Sequence, residues 1–116
     1  MENIKIQKVE NITEKRTKIT ALAGEGIDTE EMIITLLGED LAAHQTGDKQ
    51  HFIEAIESLK KSYRGKFREL TDYVASYRDN ALWDDWATDN AREHMNELEG
   101  ISYQILWNQV ALKSME

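Results

Sequence analysis

Cysteine and proline are absent from the 116-residue sequence, and glycine occurs six times. Without cysteine, the chain has no disulfide framework, thiolate zinc site, catalytic thiol or iron–sulfur cluster. The lack of proline and the scarcity of glycine argue against a sheet with tight turns, and they favour helices. No apolar run approaches the roughly 20 residues of a membrane-spanning helix, and no signal peptide opens the sequence. We therefore expect a cytoplasmic protein that does not enter a membrane.

Hydrophobic residues make up 41% of the chain, and they recur at regular spacing. Regular spacing predicts a folded chain rather than a disordered one. A length of 116 residues is enough for one core without disulfides or metals to support it. We therefore expect residues 1–116 to form a single helical domain.

The first predicted helix follows a stretch that we leave unassigned. In residues 1–10 the isoleucines alternate with polar residues, which fits a short strand as well as a flexible arm. Asn11 and Glu14 then have the spacing of a capping box, and the apolar residues after them share one helical face. Gly24 and Gly26 end this pattern.

A second short helix is predicted directly after it. Asp28 and Glu31 repeat the capping-box spacing, and Ile27 and Met32 occupy the positions of a hydrophobic staple. Isoleucines and leucines continue the apolar face until Gly47, a residue that is typical of helix ends.

Two longer helices are predicted in the rest of the chain. Asp48 is a candidate cap for the first of them, which we expect at about residues 49–78. Its apolar residues are spaced by three or four, on average about 3.6, which is the period of an α-helix. These residues are Phe52, Ile56, Leu59, Tyr63, Phe67, Leu70, Val74 and Tyr77. The second long helix is expected at about residues 81–113.

The two long helices are predicted to fold back on each other near residues 79–80. In such an antiparallel hairpin Tyr63 would face Leu98, and most apolar residues would find apolar partners. Phe67 would face His94. One unbroken helix would instead leave both apolar stripes exposed. The fold class that we expect is therefore all-α, a small helical bundle built on this hairpin with two shorter N-terminal helices.

The net charge of −8 is unevenly distributed, and residues 60–68 form a basic block. The aromatic residues in this block belong to the apolar stripe, which argues against a nucleic-acid site with stacking aromatics. In the hairpin the block would lie opposite a stretch that is rich in glutamate. We predict ion pairs of Lys61, Arg64 and Arg68 with Glu93, Glu97 and Glu99. An ordinary solvated basic face is the alternative.

An excess of carboxylates remains for a partner. On the second long helix acidic residues recur at every fourth position, about 6 Å apart, which is near the separation of phosphates along a nucleic-acid strand. The composition is similar to that of phage-encoded DNA-mimic inhibitors, and it predicts a protein partner with a basic surface rather than direct nucleic-acid binding. A purely solubilising face is the alternative. The residues of the predicted face are Asp84, Asp85, Asp89, Glu93, Glu97, Glu30, Glu31, Glu39 and Asp40.

The tryptophans and histidines give weaker indications. Trp107 lies off the predicted helix seam and is a candidate interface residue, because tryptophan is enriched at interfaces. Trp83 and Trp86 lie on or near the seam, which favours the core. His44 and His51 each have a carboxylate one helical turn away but no third ligand, so no metal site is predicted.

One acidic pattern carries an enzymatic alternative. Glu54-x-x-Glu57 is followed, after eleven residues, by Glu69-x-x-Asp72. This resembles the acidic pairs of all-α nucleotide pyrophosphohydrolases of the MazG type. The resemblance implies two adjacent helices whose carboxylates hold Mg²⁺ against a nucleoside triphosphate. On one continuous helix the four acids point away from the apolar stripe, so the pairs meet only if the chain reverses near residues 64–65.

The function that we expect is that of a non-enzymatic protein-binding or regulatory module without a cofactor, such as a phage or mobile-element inhibitor in the host cytoplasm. The MazG-like pyrophosphohydrolase is one alternative. An oligomeric structural or assembly subunit is another, and a homodimer is compatible with the sequence.

Overall fold

The structure is a computed structural model that describes residues 3–24, 26–80 and 85–116, with the backbone alone at residues 77–80 and 85–88. These residues form three strands, followed by one short helix and two long ones. The strands are β1 (Ile4–Thr13), β2 (Arg16–Ala23) and β3 (Glu30–Leu36), with a 3-10 turn at Gly26–Asp28. The helices are α1 (Gly38–Thr46), α2 (Lys49–Asn80) and α3 (Asp85–Lys113). No described helix has both the length and the apolar character that crossing a membrane requires.

The all-α fold class is wrong, because residues 4–36 form an antiparallel sheet where the first short helix and the first half of the second were expected. The second half of the second predicted helix is helical, as α1, and it ends at Gly47 as predicted. Residues 4–10 are part of β1 and not a flexible arm. Burial explains the difference: Ile19 and Ala21 of β2 are buried while Thr20 between them is only partly buried. This period of two buries one face of each strand, as expected in a sheet with one covered face.

The three strands are ordered β1-β2-β3, and both pairings are antiparallel. Between β1 and β2 the register shifts twice, at Gln7 and at Ile12. Between β2 and β3 it is continuous, from Thr17 opposite Leu36 to Ala23 opposite Glu30. The β1–β2 hairpin uses Glu14 and Lys15 in its turn, so it needs neither proline nor glycine.

Three glycines, Gly24, Gly38 and Gly47, have a positive φ, and two of them end a strand or a helix. Gly24 ends β2 with a φ of 122°, and a side chain there would clash with the carbonyl oxygen of Asp28. Gly47 ends α1 in the left-handed region with a φ of 72°, and the N–H of Asp48 donates to the carbonyl of Ala43 at 2.8 Å. This is the geometry of a Schellman-type helix end.

The two long helices lie close to the predicted positions. The Asp48 carboxylate accepts a hydrogen bond from the N–H of His51 at 3.3 Å, so Asp48 caps the start of α2 as the sequence predicts. α3 continues through Gly100 without interruption.

The chain divides into two compact units. The first contains the chain up to Ile56 together with Leu106–Glu116, and one face of the sheet forms its core with α1 and the adjoining parts of α2 and α3. Phe52 and Val110 are fully buried in this core. Its other buried residues are Ile4, Ile19, Ala21, Met32, Ile34, Leu36, Leu41, Ala43 and Ala111.

The second unit comprises Glu57–Ile105, from α2 and α3. Lys66 contacts Glu97, whereas Tyr73, farther along α2, contacts His94, which comes earlier on α3. The two helices therefore run antiparallel, in the direction that the sequence predicts. Tyr73, rather than Phe67, contacts the His94 ring, whereas Tyr63 and Leu98, which the sequence predicts to face each other, both line the space between the helices.

Candidate functional site

An open groove lies between α2 and α3 within the second unit, with a volume of about 810 Å³. Apolar and aromatic side chains form most of its lining. Those from α2 are Tyr63, Phe67 and Leu70, and those from α3 are Ala91, Met95 and Leu98. Volume and lining are in the range of protein sites that take an apolar ligand or the apolar face of a helix.

Phe67 and Met95 are the most exposed apolar side chains of the groove, at 54% and 59% of their full surface. Ala91 and Leu98 beside them are buried, so the groove has a packed floor and exposed walls. The rings of Tyr63 and Phe67 stack with their centroids 6.4 Å apart. The sequence places Phe67 in the core, whereas in the structure it stands at the groove wall.

Lys66 of α2 and Glu97 of α3 form an ion pair between the two helices. The Lys66 ammonium lies 3.0 Å from the Glu97 carboxylate and 3.8 Å from that of Glu69. The hydrogen bond from Lys66 lowers the pKa of Glu97, and the same contact raises the pKa of Lys66. Lys66 lies about 20° from Tyr73 around the helix axis, on the side of α2 that contacts α3.

This contact corrects the predicted ion pairs. A cross-helix pair is present and Glu97 is its acid, but Lys66 replaces Lys61, Arg64 and Arg68 as the cation. None of those three cations pairs with Glu93, Glu97 or Glu99 within the described part of the chain. Around the axis of α2, Lys66 lies about 140–160° from these three cations and is on the side that contacts α3.

His94 lies at the seam of the second unit, as predicted. Its ring stands 5.7 Å from that of Tyr73, and its Nδ1 atom is buried without a hydrogen-bond partner among the described residues. The ring itself is partly exposed, and it fills space between the helices.

The predicted acidic face is divided between the two units. Asp89, Glu93 and Glu97 are exposed on α3 in the second unit, where each step of four residues turns the side chain by about 40°. Glu97 is bound to Lys66, and Asp89 lies 3.8 Å from Arg92. Cations of the same chain therefore partly neutralise this row.

The first unit holds the other acids of the predicted face. Glu30 and Glu31 begin β3, and Glu39 and Asp40 lie in the first turn of α1, where the helix dipole favours negative charge. The Asp40 carboxylate already has a partner within the chain, because it lies 2.7 Å from Nε2 of His51. Glu30, Glu31 and Glu39 are exposed.

Two positions of the predicted face lack a described side chain. Asp84 lies outside the described residues, as does Trp83. Asp85 and Trp86 belong to α3, but only their backbone is described.

His44 forms a hydrogen-bonded link inside the first unit. The Ser114 hydroxyl donates to the carbonyl of Ala111 at 2.6 Å, so its oxygen accepts from Nε2 of His44 at 2.9 Å. This arrangement places the proton of neutral His44 on Nε2. Burial lowers the pKa of His44. The link fastens the end of α3 to the last turn of α1.

The four acids of the enzymatic alternative all lie on α2. Glu54, Glu57, Glu69 and Asp72 are exposed, and α2 is unbroken between them. Glu54 and Asp72 are separated by 18 residues, about 27 Å along the helix. Within one chain the structure does not bring the two pairs together, and the described residues contain no group of three or more potential metal ligands.

Trp107 and Met95 differ from what the sequence suggests about their exposure. Trp107 is partly buried and packs against the core of the first unit, so most of its apolar surface serves that core. Met95 was not singled out from the sequence. Its place on the helix beside Ala91 and Leu98 is the signal that would have found it.

No known protein family, characterised protein or solved structure matches this chain in the comparisons. The geometry of the site is therefore the basis for assigning a function.

Proposed function

We propose that the chain is a non-enzymatic protein-binding module and that the groove of the second unit takes the apolar face of a partner helix. The exposure of Phe67 and Met95 on facing walls of one groove supports this proposal. Exposed apolar side chains that cluster in a concave surface mark interaction sites more often than scattered ones do. A groove between two helices fits the helix-in-groove mode of peptide recognition.

Charges beside the groove define the partner further. Glu99 and Arg92 line the groove on α3, where Arg92 lies 3.8 Å from Asp89, and Glu93 is exposed on the same helix. Lys60 and Arg64 are exposed on α2. A partner helix in this groove needs basic residues on the side that faces α3, and its side facing α2 favours acidic ones. The partner would therefore have the basic surface that the sequence predicts, but only on the side of its helix that faces α3.

We propose that this binding takes place in the cytoplasm and that its role is regulatory. A DNA-mimic role has less support than simple protein binding, because Lys66 and Arg92 partly neutralise the carboxylate row of α3. Competition decides between them: DNA displaces a DNA mimic from its partner and leaves a groove-bound helix in place.

The test captures partners from an extract of the source cells on immobilised protein. Phe67→Asp and Met95→Asp should each remove the captured partner, because they place a charge in the apolar groove. Tyr103→Asp is the matched control, since Tyr103 is 55% exposed on α3 and does not line the groove. Circular dichroism verifies that each variant stays helical. Capture that survives both groove substitutions would contradict the proposal.

A further inference from the structure

The outer edge of β3 has no strand partner in the described residues. β3 pairs with β2, and its backbone forms no hydrogen bond to any other described segment. In an antiparallel pair alternate residues direct their N–H and C=O groups away from the partner. The edge of Glu30–Leu36 therefore presents a row of backbone donors and acceptors to another strand.

The opposite edge of the sheet differs from this one. β1 has two register shifts, at Gln7 and Ile12, and it carries the exposed lysines Lys5 and Lys8. Bulges and lysines are the means by which natural edge strands resist pairing with other chains. β3 has a continuous register with β2 and contains neither lysine nor proline. Of the two edges, β3 is the one that accepts a further strand.

Side chains along β3 favour a strand with an apolar centre. Met32, Ile34 and Leu36 point into the core of the first unit. Ile33 stands on the other face and is 48% exposed. A residue opposite Ile33 on an added strand would lie within about 5.5 Å of it and could cover its exposed surface.

The negative charges near both ends of β3 favour an added strand with positively charged ends. Glu30 and Glu31 begin the strand, Glu39 follows three residues beyond its end, and all three are exposed. A second copy of β3 would bring more glutamate to this edge. A segment with lysine or arginine at both ends would instead place cations beside carboxylates. Charge therefore favours a basic segment over self-pairing.

We propose that the edge of β3 binds, by strand addition, an extended protein segment with an apolar, β-branched centre and basic residues at both ends. This site lies wholly within the first unit, so it is independent of the groove in the second. Backbone pairing supplies the binding, and the glutamates supply the preference for a basic segment.

The test uses the full chain and a nine-residue peptide with blocked ends, Lys-Lys-Val-Thr-Val-Thr-Val-Lys-Lys. We expect binding by calorimetry together with slower amide exchange at those residues of Glu30–Leu36 that exchange rapidly in the free protein. The same peptide with the backbone nitrogens of its five central residues methylated keeps its charges and loses those donors on both edges, so it should not bind. Equal binding by the methylated peptide would overturn the proposal, because it would show charge attraction alone.

A double charge reversal tests the contribution of the glutamates at the start of β3. The double variant Glu30→Lys, Glu31→Lys should weaken peptide binding roughly tenfold. The double variant Glu57→Lys, Asp72→Lys is the control with the same charge change and should leave affinity nearly unchanged, since both residues are exposed on α2 in the second unit. Protection of β3 amides in the free protein, with a dimer by light scattering, would overturn the proposal in favour of self-pairing. Either result leaves the groove test unaffected.

Discussion

Ile33 and Ile34 are consecutive residues of β3, yet Ile33 is 48% exposed and Ile34 is 1% exposed. Successive side chains of a strand point to opposite faces, and here one face packs on the core while the other faces solvent. The different exposure of these two residues therefore reports directly on β3, which replaces the first half of the predicted second helix.

Alanine substitutions at these two positions should have unequal effects on the free energy of unfolding. Ile34→Ala should cost roughly 2–5 kcal/mol, because it leaves a cavity in the core. Ile33→Ala should cost less than about 1 kcal/mol, since Ile33 is half-exposed. Urea denaturation measures both. Equal costs, or a larger cost at Ile33, would contradict the placement of β3.

Two glycines form a second matched pair. Gly47→Ala should destabilise the chain by about 1–2 kcal/mol, because Gly47 adopts a left-handed conformation at the end of α1. Gly65→Ala should stabilise it by up to about 1 kcal/mol, because Gly65 lies inside α2 and a Cβ there meets no neighbour within 4 Å. Thermal unfolding measures both changes. A stabilising Gly47→Ala would argue against the observed end of α1.

The Lys66–Glu97 pair should make stability depend on pH and salt. The pKa of Glu97 is lowered in the folded chain, so its contribution is present above the ordinary glutamate pKa of about 4.3 and is lost as the pH falls through the folded value. Lys66→Gln should therefore be less stable than the parent at pH 7, and the difference should shrink as the pH falls through the lowered pKa of Glu97. High salt should shrink it at pH 7.

Lys60→Gln is the control for that measurement, because it removes the same charge from an exposed position of α2. A difference at pH 7 that is the same for both variants would show that net charge, rather than the cross-helix contact, sets the effect.

His44 should make the first unit less stable in mild acid. Its pKa is lowered by burial, so the neutral form is favoured in the folded chain. This contribution is present above about pH 6.5 and is lost as the pH falls through the folded value. His44→Gln keeps a donor for Ser114 without titrating. Between pH 8 and 5 the parent should lose more unfolding free energy than this variant does, and parallel pH profiles would refute the assignment.

The long helices could be predicted from the sequence because their signals are local and repeated. The apolar stripe of α2 persists from Phe52 to Tyr77, and Asp48 caps it through a contact three residues away. The position of the groove could not be predicted. It depends on the spacing of α2 and α3 and on which side chains pack between them, and a local sequence pattern determines neither.

The sheet was missed because its partners are distant in sequence. Ile19 pairs with Val9 and Ile34, and no short window contains such pairings. Asn11 with Glu14 has capping-box spacing, but these residues end β1 and begin its turn. The available signal was the alternation in β2 and β3, with β-branched residues at most positions from Thr17 to Thr20. The absence of proline argued against a sheet more strongly than this alternation argued for one, although the β1–β2 turn contains no proline.

Backbone amide hydrogen exchange in the free protein tests the central claim most directly, namely that Glu30–Leu36 is an edge strand paired on one side. We predict alternation along β3, with slow exchange at amides directed to β2 and fast exchange at those between them. Uniformly slow exchange through these seven residues would contradict the account, because it is the result expected of a helix or of a strand paired on both sides.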